Sequence, residues 1–505
     1  MVRWQARSIG MRALTDALAP RCKTLQRAGV RVLLLAVLLG ATAFGQTFKP
    51  ARERPPMPPR EFRGAWVAVV HNIDWPSRKG LSASAQQAEL RGLLDRMKSL
   101  NMNAMIFQVR PHCDAVYASN REPWSPWLTG TMGKSPGYDP LKFCVEEAHR
   151  RGIEVHAWFN PFRALSNVKH GTSSTHVVRS APHITKRYVG QYWCDPAHPE
   201  TRQRAMAAIL DVVRRYDVDG VHLDDYFYPY PKNGAAFPDG RSPRQRRAVV
   251  DDFVKNLYSQ VKATKPWVRV GISPFGIWRP GVPTGIEAGL DAYEDLGADA
   301  RKWLAKGWVD YLAPQLYWRD QPRKQSFSAL LEWWRDQGTR PVWPGIATSR
   351  INSKEDPGRP AGEILKQIGL SRTVDKNWVG HIHWSISGLK ENRGGISSSL
   401  AKSAYSEPAF VPPMPWMGKR EVARPGVDAR GEGQGLRIRW KKGDVHTSKI
   451  GVMGKFGSKW HMLSVLPAGR GEALIPNGSK GLPEVISISA VDRFGNLSGP
   501  VVLAR

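Results

Sequence analysis

"DPLKFCVEEAHRRGIEVHAWFNP", residues Asp139 to Pro161, passes from a helix-length segment into an apolar run that ends in Trp158 and Asn160. The same alternation recurs on both sides of it. Apolar runs that end in polar or aromatic residues are "FRGAWVAVV", "AMIFQVRP", "IEVHAWFNP", "VDGVHLDDYFYP", "RVGISPFGIW", "VDYLAPQLYW", "PVWPGIATS" and "GHIHWSISGL". Helical patterns are read over Ser82 to Leu100, Asp139 to Arg151, Pro199 to Tyr216, Ser242 to Thr264, Asp291 to Lys306, Gln325 to Gln337, Ala361 to Val374 and Gly395 to Ala404. Eight strands, each followed by a helix, predict an α/β (β/α)8 TIM barrel over residues 61–410. A doubly wound open sheet would need a phosphate-binding glycine turn after its first strand, and none is present.

The flanks differ in composition. Basic residues Arg21, Lys23, Arg27 and Arg31 precede "VLLLAVLLGATAFG", and Ala41 and Ala43 form an A-x-A-like cleavage site, so residues 1–45 read as a secretion signal. The run falls short of the ~20 apolar residues that a bilayer crossing needs, and an uncleaved anchor is the alternative. Either way membrane contact is confined to the leader, and the expected location is periplasmic, beyond the inner membrane. Residues 46–60 are Pro-rich and charged, an extended linker. After a second Pro-rich break, "SEPAFVPPMPWMG", short alternating strands with Gly and Asn turns predict a small all-β sandwich over residues 420–505, resembling a fibronectin type III module.

Charge narrows the partners. The formal net charge is +30, and removal of the first 45 residues leaves +24, an excess that suits an anionic partner. Export argues against nucleic acid, which leaves an anionic envelope polymer. Three cysteines follow the leader, Cys113, Cys144 and Cys194, without metal-ligand spacing. Cys144 reads as a buried thiol, and whether Cys113 and Cys194 pair is open. Oligomeric state is not legible.

In a TIM barrel the active site is built at the C-terminal ends of the strands. Those ends carry Trp66, Arg110, Asp114, Trp158, Asn160, Asp224, Asp225, Tyr226, Tyr228, Trp278, Gln315, Tyr317 and Trp384. Aromatic rings pack against the C–H faces of sugars, while amides, carboxylates and guanidinium groups bond their hydroxyls. Trp303, Trp308, Trp333 and Trp334 lie on helices or before a strand and read as packing residues. Glycosidic cleavage uses paired carboxylates, one protonating the leaving oxygen and the other facing the oxocarbenium-like centre. In "DGVHLDDYFYP" the adjacent Asp224 and Asp225 suppress each other's ionisation, so that one can hold a proton near neutrality. Strand periodicity places His222, Asp224 and Tyr226 on one face. No metal or cofactor is required, and His381 with His383 reads as a core and site pair rather than as ligands.

These motifs, with "EFRGAWVAVVHNIDWPS", "QVRPHCDAVYAS", "GISPFGIWRP" and "DLGADARKWLAKGWVDYLAPQLYW", resemble glycosyl-hydrolase-like family 10 from about Arg60 to Ala404. The resemblance implies an envelope glycoside hydrolase. The family includes a bacterial hydrolase of peptidoglycan strands already stripped of stem peptides. It also implies site roles for Asp224, Asp225, Tyr226, Tyr228, Arg110, Asn160, Gln315 and Tyr317, while His112 and Cys113 make one loop bulkier than the family pattern. A fainter likeness to family 18 chitinases matches Asp219, Gly220 and Asp224, but puts Tyr226 where that family has its proton donor. Asp225 is then the expected acid, with Asp74, Asp114, Glu294 and Asp299 as alternatives, and Asp224 the orienting or nucleophilic carboxylate. No glutamate follows the seventh strand in "PVWPGIATSR".

The expected function is therefore hydrolysis of an N-acetylhexosamine glycan, with peptidoglycan the substrate. A non-catalytic glycan-binding barrel and a hydrolase of another envelope polysaccharide are the alternatives. A deacetylase would need a metal triad that the sequence lacks.

Overall fold

The computed structural model describes residues 46–505, and the expected secretion signal, residues 1–45, lies outside the described residues. Eight strands make one parallel sheet: β1 Phe62–Val67, β2 Ala104–Arg110, β3 Glu154–Phe159, β4 Gly220–Leu223, β5 Arg269–Ile272, β6 Tyr311–Leu312, β7 Gly345–Ile346 and β8 Gly380–His383. β8 pairs with β1, and bridges Leu312 to Val342 and Gln315 to Gly345 join the β6 and β7 regions, so the sheet closes into a barrel. β1, β2 and β3 are buried at every position, as strands covered on both faces require.

The covering helices are α1 Ala83–Ser99, α2 Pro140–Arg150, α3 Pro199–Arg215, α4 Pro243–Thr264, α5 Ala300–Ala305, α6 Phe327–Arg335, α7 Ala361–Val374 and α8 Ile396–Lys402. α2 shows why they form. Asp139 caps the amide of Lys142 and Pro140 starts the first turn. Leu141, Cys144, Val145 and Ala148 then recur at i, i+3, i+4 and i+7 and face the sheet.

Several expectations need correction. The helix expected over Asp291–Lys306 is two helices, Ala292–Asp295 and α5, because Gly297 turns left-handed at φ +63° and Asp299 caps a fresh start. The eighth strand stops at His383, and "ISGLK" is the helix Ile386–Lys390. After β3 the chain also forms an unforeseen three-stranded antiparallel sheet from Arg163–Leu165, Thr185–Tyr188 and Gln191–Cys194.

The barrel interior is aromatic. Phe62 stacks on Trp343 at 3.9 Å. Above them Tyr311 Oη bonds His156 Nδ1 at 2.8 Å and His222 Nδ1 at 3.0 Å. Trp66 Nε1–H donates to His222 Nε2 at 3.2 Å, so neutral His222 carries its proton on Nδ1 and donates to Tyr311. Burial holds the pKa of both histidines below the ordinary value.

The C-terminal region is an all-β sandwich, and the expected linker takes part in it. Lys49 and Pro50 pair antiparallel with Ala504 and Leu503, and Phe48 is buried in the sandwich core with Ile438, Ile450 and Ile488. The segment forms two short edge strands, Gln46–Thr47 on one sandwich sheet and Lys49–Pro50 on the other, because Phe48 between them supplies apolar area that the sandwich buries. The second Pro-rich stretch packs too: Val411 and Met414 close the barrel floor beside Phe62 and Trp343.

Ion pairs fix the sandwich to the end of the barrel where the strands begin. Glu154, at the start of β3, accepts from Arg269 Nη1 at 2.8 Å and from sandwich Lys449 Nζ at 2.7 Å. Asp219, just before β4, accepts from His149 Nε2 at 2.8 Å and from sandwich Arg493 Nη2 at 3.3 Å. The C-terminal strand ends lie at the opposite mouth.

Candidate active site

β4 ends at Leu223, and both aspartates follow it, free of the alternation that a continuing strand would impose. The Asp225 amide donates to Asp224 Oδ1 at 3.0 Å. Asp224 Oδ2 accepts from Asn160 Nδ2 at 3.2 Å, and Oδ1 accepts from Gln315 Nε2 at 3.3 Å. The Asn160 orientation is imposed from below. Gln108 Oε1 accepts the amides of Val69 and Val70 at 2.9 and 2.8 Å, so its Nε2 must face outward, where it donates to Asn160 Oδ1 at 3.0 Å. Residues just past the ends of β3, β4 and β6 thus bond one carboxylate, with Gln108 of β2 fixing Asn160 from below.

Asp225 has a different environment. It is 1% exposed against 7% for Asp224, and its Oδ2 accepts a short hydrogen bond from Tyr230 Oη. Burial raises the pKa of Asp225 well above the ordinary carboxylate range, and the charge of Asp224 raises it further. Burial raises Asp224 as well, but hydrogen bonds and the Arg163 charge oppose that rise. The pair is thus unequal: burial and the Asp224 charge favour the proton on Asp225, while hydrogen bonds and Arg163 favour the charge on Asp224.

Aromatic rings surround the pair. Trp384 lies 6.1 Å from Trp66, 6.2 Å from Trp158 and 6.2 Å from Tyr317, the last nearly parallel. Burial raises the pKa of Tyr317, and the nearby Asp224 charge raises it further. Gly345 lets two of these rings meet, since a Cβ there would sit 3.0 Å from Trp66 and 3.1 Å from Tyr317. Tyr226 packs against Tyr230 at 5.4 Å, and the Arg163 guanidinium lies 4.4 Å over the Tyr226 ring.

Of the residues expected to form the site, Trp66, Trp158, Asn160, Asp224, Asp225, Tyr226, Gln315, Tyr317 and Trp384 are brought together. Four are placed elsewhere. Arg110 gives Nε and Nη2 to Glu122 and Nη1 to the carbonyls of Asn160 and Pro161 at 2.7 and 2.9 Å, so it braces the turn rather than the cleft. Asp114 is fully buried and accepts the His112 amide at 2.7 Å. Tyr228 is fully buried under Arg246 and against Phe237, because the chain bends once it leaves the ladder. Trp278 stacks on Trp333 at 5.8 Å and meets Tyr293 at 5.2 Å, on the α5 and α6 side.

The alternative proton donors are engaged in holding structure. Asp74 accepts from Ser385 Oγ at 2.6 Å and the Ala68 amide at 2.8 Å, Glu294 pairs with Arg247 at 2.8 Å, and Asp299 caps α5. His381 and His383 both bond Tyr405 Oη and are fully buried, so they are two core residues rather than a core and site pair. Cys113 and Cys194 are thiols whose sulfurs lie 3.7 Å apart. Among the described residues no three His, Cys, Asp or Glu side chains converge as a metal set.

Three contributors escaped the sequence reading. Gln108 is polar inside the apolar run of β2, a position whose burial demands partners. Arg163 follows Asn160 by three residues, beyond the last residue read at that strand end. Tyr230 was overshadowed by Tyr228.

Residues 61–358 match the family described as glycosyl hydrolase-like 10. Glycosyl hydrolase YngK of Bacillus subtilis is 40% identical over 425 residues, covering 80% of this chain and 82% of its own length. Glycosyl hydrolase DigH of Escherichia coli K12 is 33% identical over 401 residues, covering 70% of this chain and 90% of its own. Among solved structures the likeness is distant: an endo-1,4-β-mannanase from Rhizomucor miehei matches at a TM-score of 0.44 and 13% identity, over 72% of this chain and 100% of that one.

Proposed function

We propose that this chain, which belongs to the glycosyl hydrolase-like 10 family, hydrolyses the glycan strands of peptidoglycan after their stem peptides have been removed. Family membership makes it a glycoside hydrolase. The finer reading rests on one observation above all: two adjacent buried aspartates in unequal surroundings, Asp225 bonded by Tyr230 and Asp224 by Asn160 and Gln315, beside an aromatic cluster at the barrel mouth.

In this reading Asp225 gives its proton to the glycosidic oxygen as the C–O bond breaks, and the departing sugar leaves as a neutral alcohol. Asp224, aimed by Asn160 and Gln315, faces the positive charge that develops at the anomeric carbon. Water finally adds to that carbon and its second proton restores Asp225. Tyr317 and Trp384 hold sugar faces, with the buried Trp66 and Trp158 packed behind them. The basic surface favours a polymer that bears carboxylates, and a leader in residues 1–45 would deliver the chain to the periplasm, where that polymer lies. The sandwich, docked at the far end of the barrel, leaves the mouth clear for a long strand.

The test is digestion of purified peptidoglycan, intact and amidase-treated, with soluble products resolved by mass spectrometry. Short saccharides released from the amidase-treated strands alone are expected. Strands that are bound but never shortened would instead indicate a glycan-binding barrel, and release only from a different envelope polysaccharide would move the substrate.

A further inference from the structure

We propose that Arg163 binds a carboxylate carried by the sugar next to the scissile bond, and so selects carboxylated N-acetylhexosamine strands over neutral ones. The inference rests on the glycosidase reading and adds the chemical group that the mouth recognises.

Arg163 is firmly placed. Its backbone pairs with Trp193 in the antiparallel sheet that follows β3, and its carbonyl accepts from Cys113 Sγ at 3.5 Å. Its guanidinium lies over Tyr226, which packs on Tyr230, whose hydroxyl bonds Asp225. Two aromatic rings thus separate this cation from the proposed proton donor.

The charge of Arg163 is unpaired. Its Nε has no hydrogen-bond partner, its side-chain bond is to Tyr226, and no carboxylate pairs with the guanidinium among the described residues. Other arginines at or after the ends of barrel strands differ: Arg110 holds Glu122, Arg279 holds Asp291, Arg319 holds Asp356 and Arg350 holds Glu355. A buried donor without a partner is disfavoured unless something supplied later accepts from it. The planar guanidinium matches a carboxylate with two parallel N–H···O bonds, a geometry that a hydroxyl or an acetamido oxygen cannot reproduce. Its charge is felt in the site, where it opposes the rise of Asp224 and adds to the lowering that burial imposes on His71 and His112. A carboxylate seated there would neutralise an existing cation rather than bring a new charge beside Asp224.

The test compares glycan strands freed of peptides with the same strands after their carboxylates are converted to amides. Equilibrium binding is read in an Asp225→Asn background, in which the strands persist, with Arg163 intact or changed to Gln or Lys. With Arg163 intact, the carboxylate form is expected to bind at least ~10-fold more tightly, which is ~1.4 kcal/mol, with the difference shrinking as salt rises. Arg163→Gln should bind both forms equally, at the affinity the intact site shows for amidated strands, and Arg163→Lys should recover part of the preference. Equal affinity for both forms with Arg163 intact, no binding of either, or a preference that survives Arg163→Gln would overturn the proposal. The two readings separate cleanly. Hydrolysis of both forms at one rate by the otherwise unaltered enzyme keeps the glycosidase and removes the carboxylate site, whereas Arg163-dependent preference without hydrolysis does the reverse.

Discussion

The backbone amide of Asp225 donates to the side chain of Asp224 at 3.0 Å, so one carboxylate is stabilised by the residue that carries the other. The consequence is an unequal pair. Asp224 gains donors that favour its charge, while Asp225 meets burial and a neighbouring negative charge that favour its proton. A general acid works while protonated. Activity should therefore fall on the alkaline side at a midpoint well above the ~4 of an ordinary aspartate, and Asp225→Asn should erase that limb. A pH profile of kcat/KM checks this, and an alkaline limb near the ordinary value would contradict it.

Gln108 never reaches the cleft, yet it sets the direction of the Asn160 amide. Gln108→Ala should free Asn160 to rotate and deprive Asp224 of a donor. Hydrogen bonds to charged groups contribute about 1.5–3 kcal/mol, so a loss of ~10-fold or more in kcat is expected. Because Asp224 works ionised and a lost donor raises its pKa, the acid limb of the profile should also move to higher pH. A fall in thermal stability with an unmoved acid limb would mark Gln108 as merely structural.

Gly345 lies in β7 with the rings of Trp66 and Tyr317 against its open face. Gly345→Ala inserts a methyl group 3.0 to 3.2 Å from those rings, where neither can give way without leaving the aromatic set around Trp384. Overpacking of this kind costs about 1–3 kcal/mol. Thermal unfolding and saccharide affinity should both show the loss, and unchanged affinity would dissociate these rings from the glycan.

The seam between barrel and sandwich should be sensitive to acid. Arg269 and Lys449 hold Glu154 well below the ordinary carboxylate range, and His149 and Arg493 do the same to Asp219. A depressed folded pKa stabilises above the unfolded value and loses that contribution as pH falls through the folded one. Lys449→Met should therefore lower Tm at pH 7, with the gap to wild type closing only in strong acid. A constant gap from neutral pH down to strong acid would show that Lys449 acts through packing alone.

How much was legible in the sequence follows from which forces are local. The barrel was readable because each strand and helix carries its own periodicity, as Leu141, Cys144, Val145 and Ala148 do on α2. Asp224, Asn160, Gln315 and Trp384 were readable because strand ends define a barrel mouth. Arg110 and Tyr228 sit at equally suggestive positions, but their directions depend on Glu122, Arg246 and Phe237. Those partners are tertiary, and no spacing announces them. The same holds for Phe48, which looked like part of a linker until the sandwich provided a core to enter. Gln108 was the missed opportunity, since a lone amide within an apolar strand must bond something.

The most direct test of the central claim uses two glycosides of the same sugar that differ only in leaving group, one a sugar alcohol that needs a proton to depart and the other a dinitrophenolate that does not. With Asp225 as the proton donor, Asp225→Asn should lower kcat/KM by ~10²–10⁴ on the first and leave the second within about tenfold of wild type. An equal loss on both, or none on either, would contradict the assignment of the acid to Asp225.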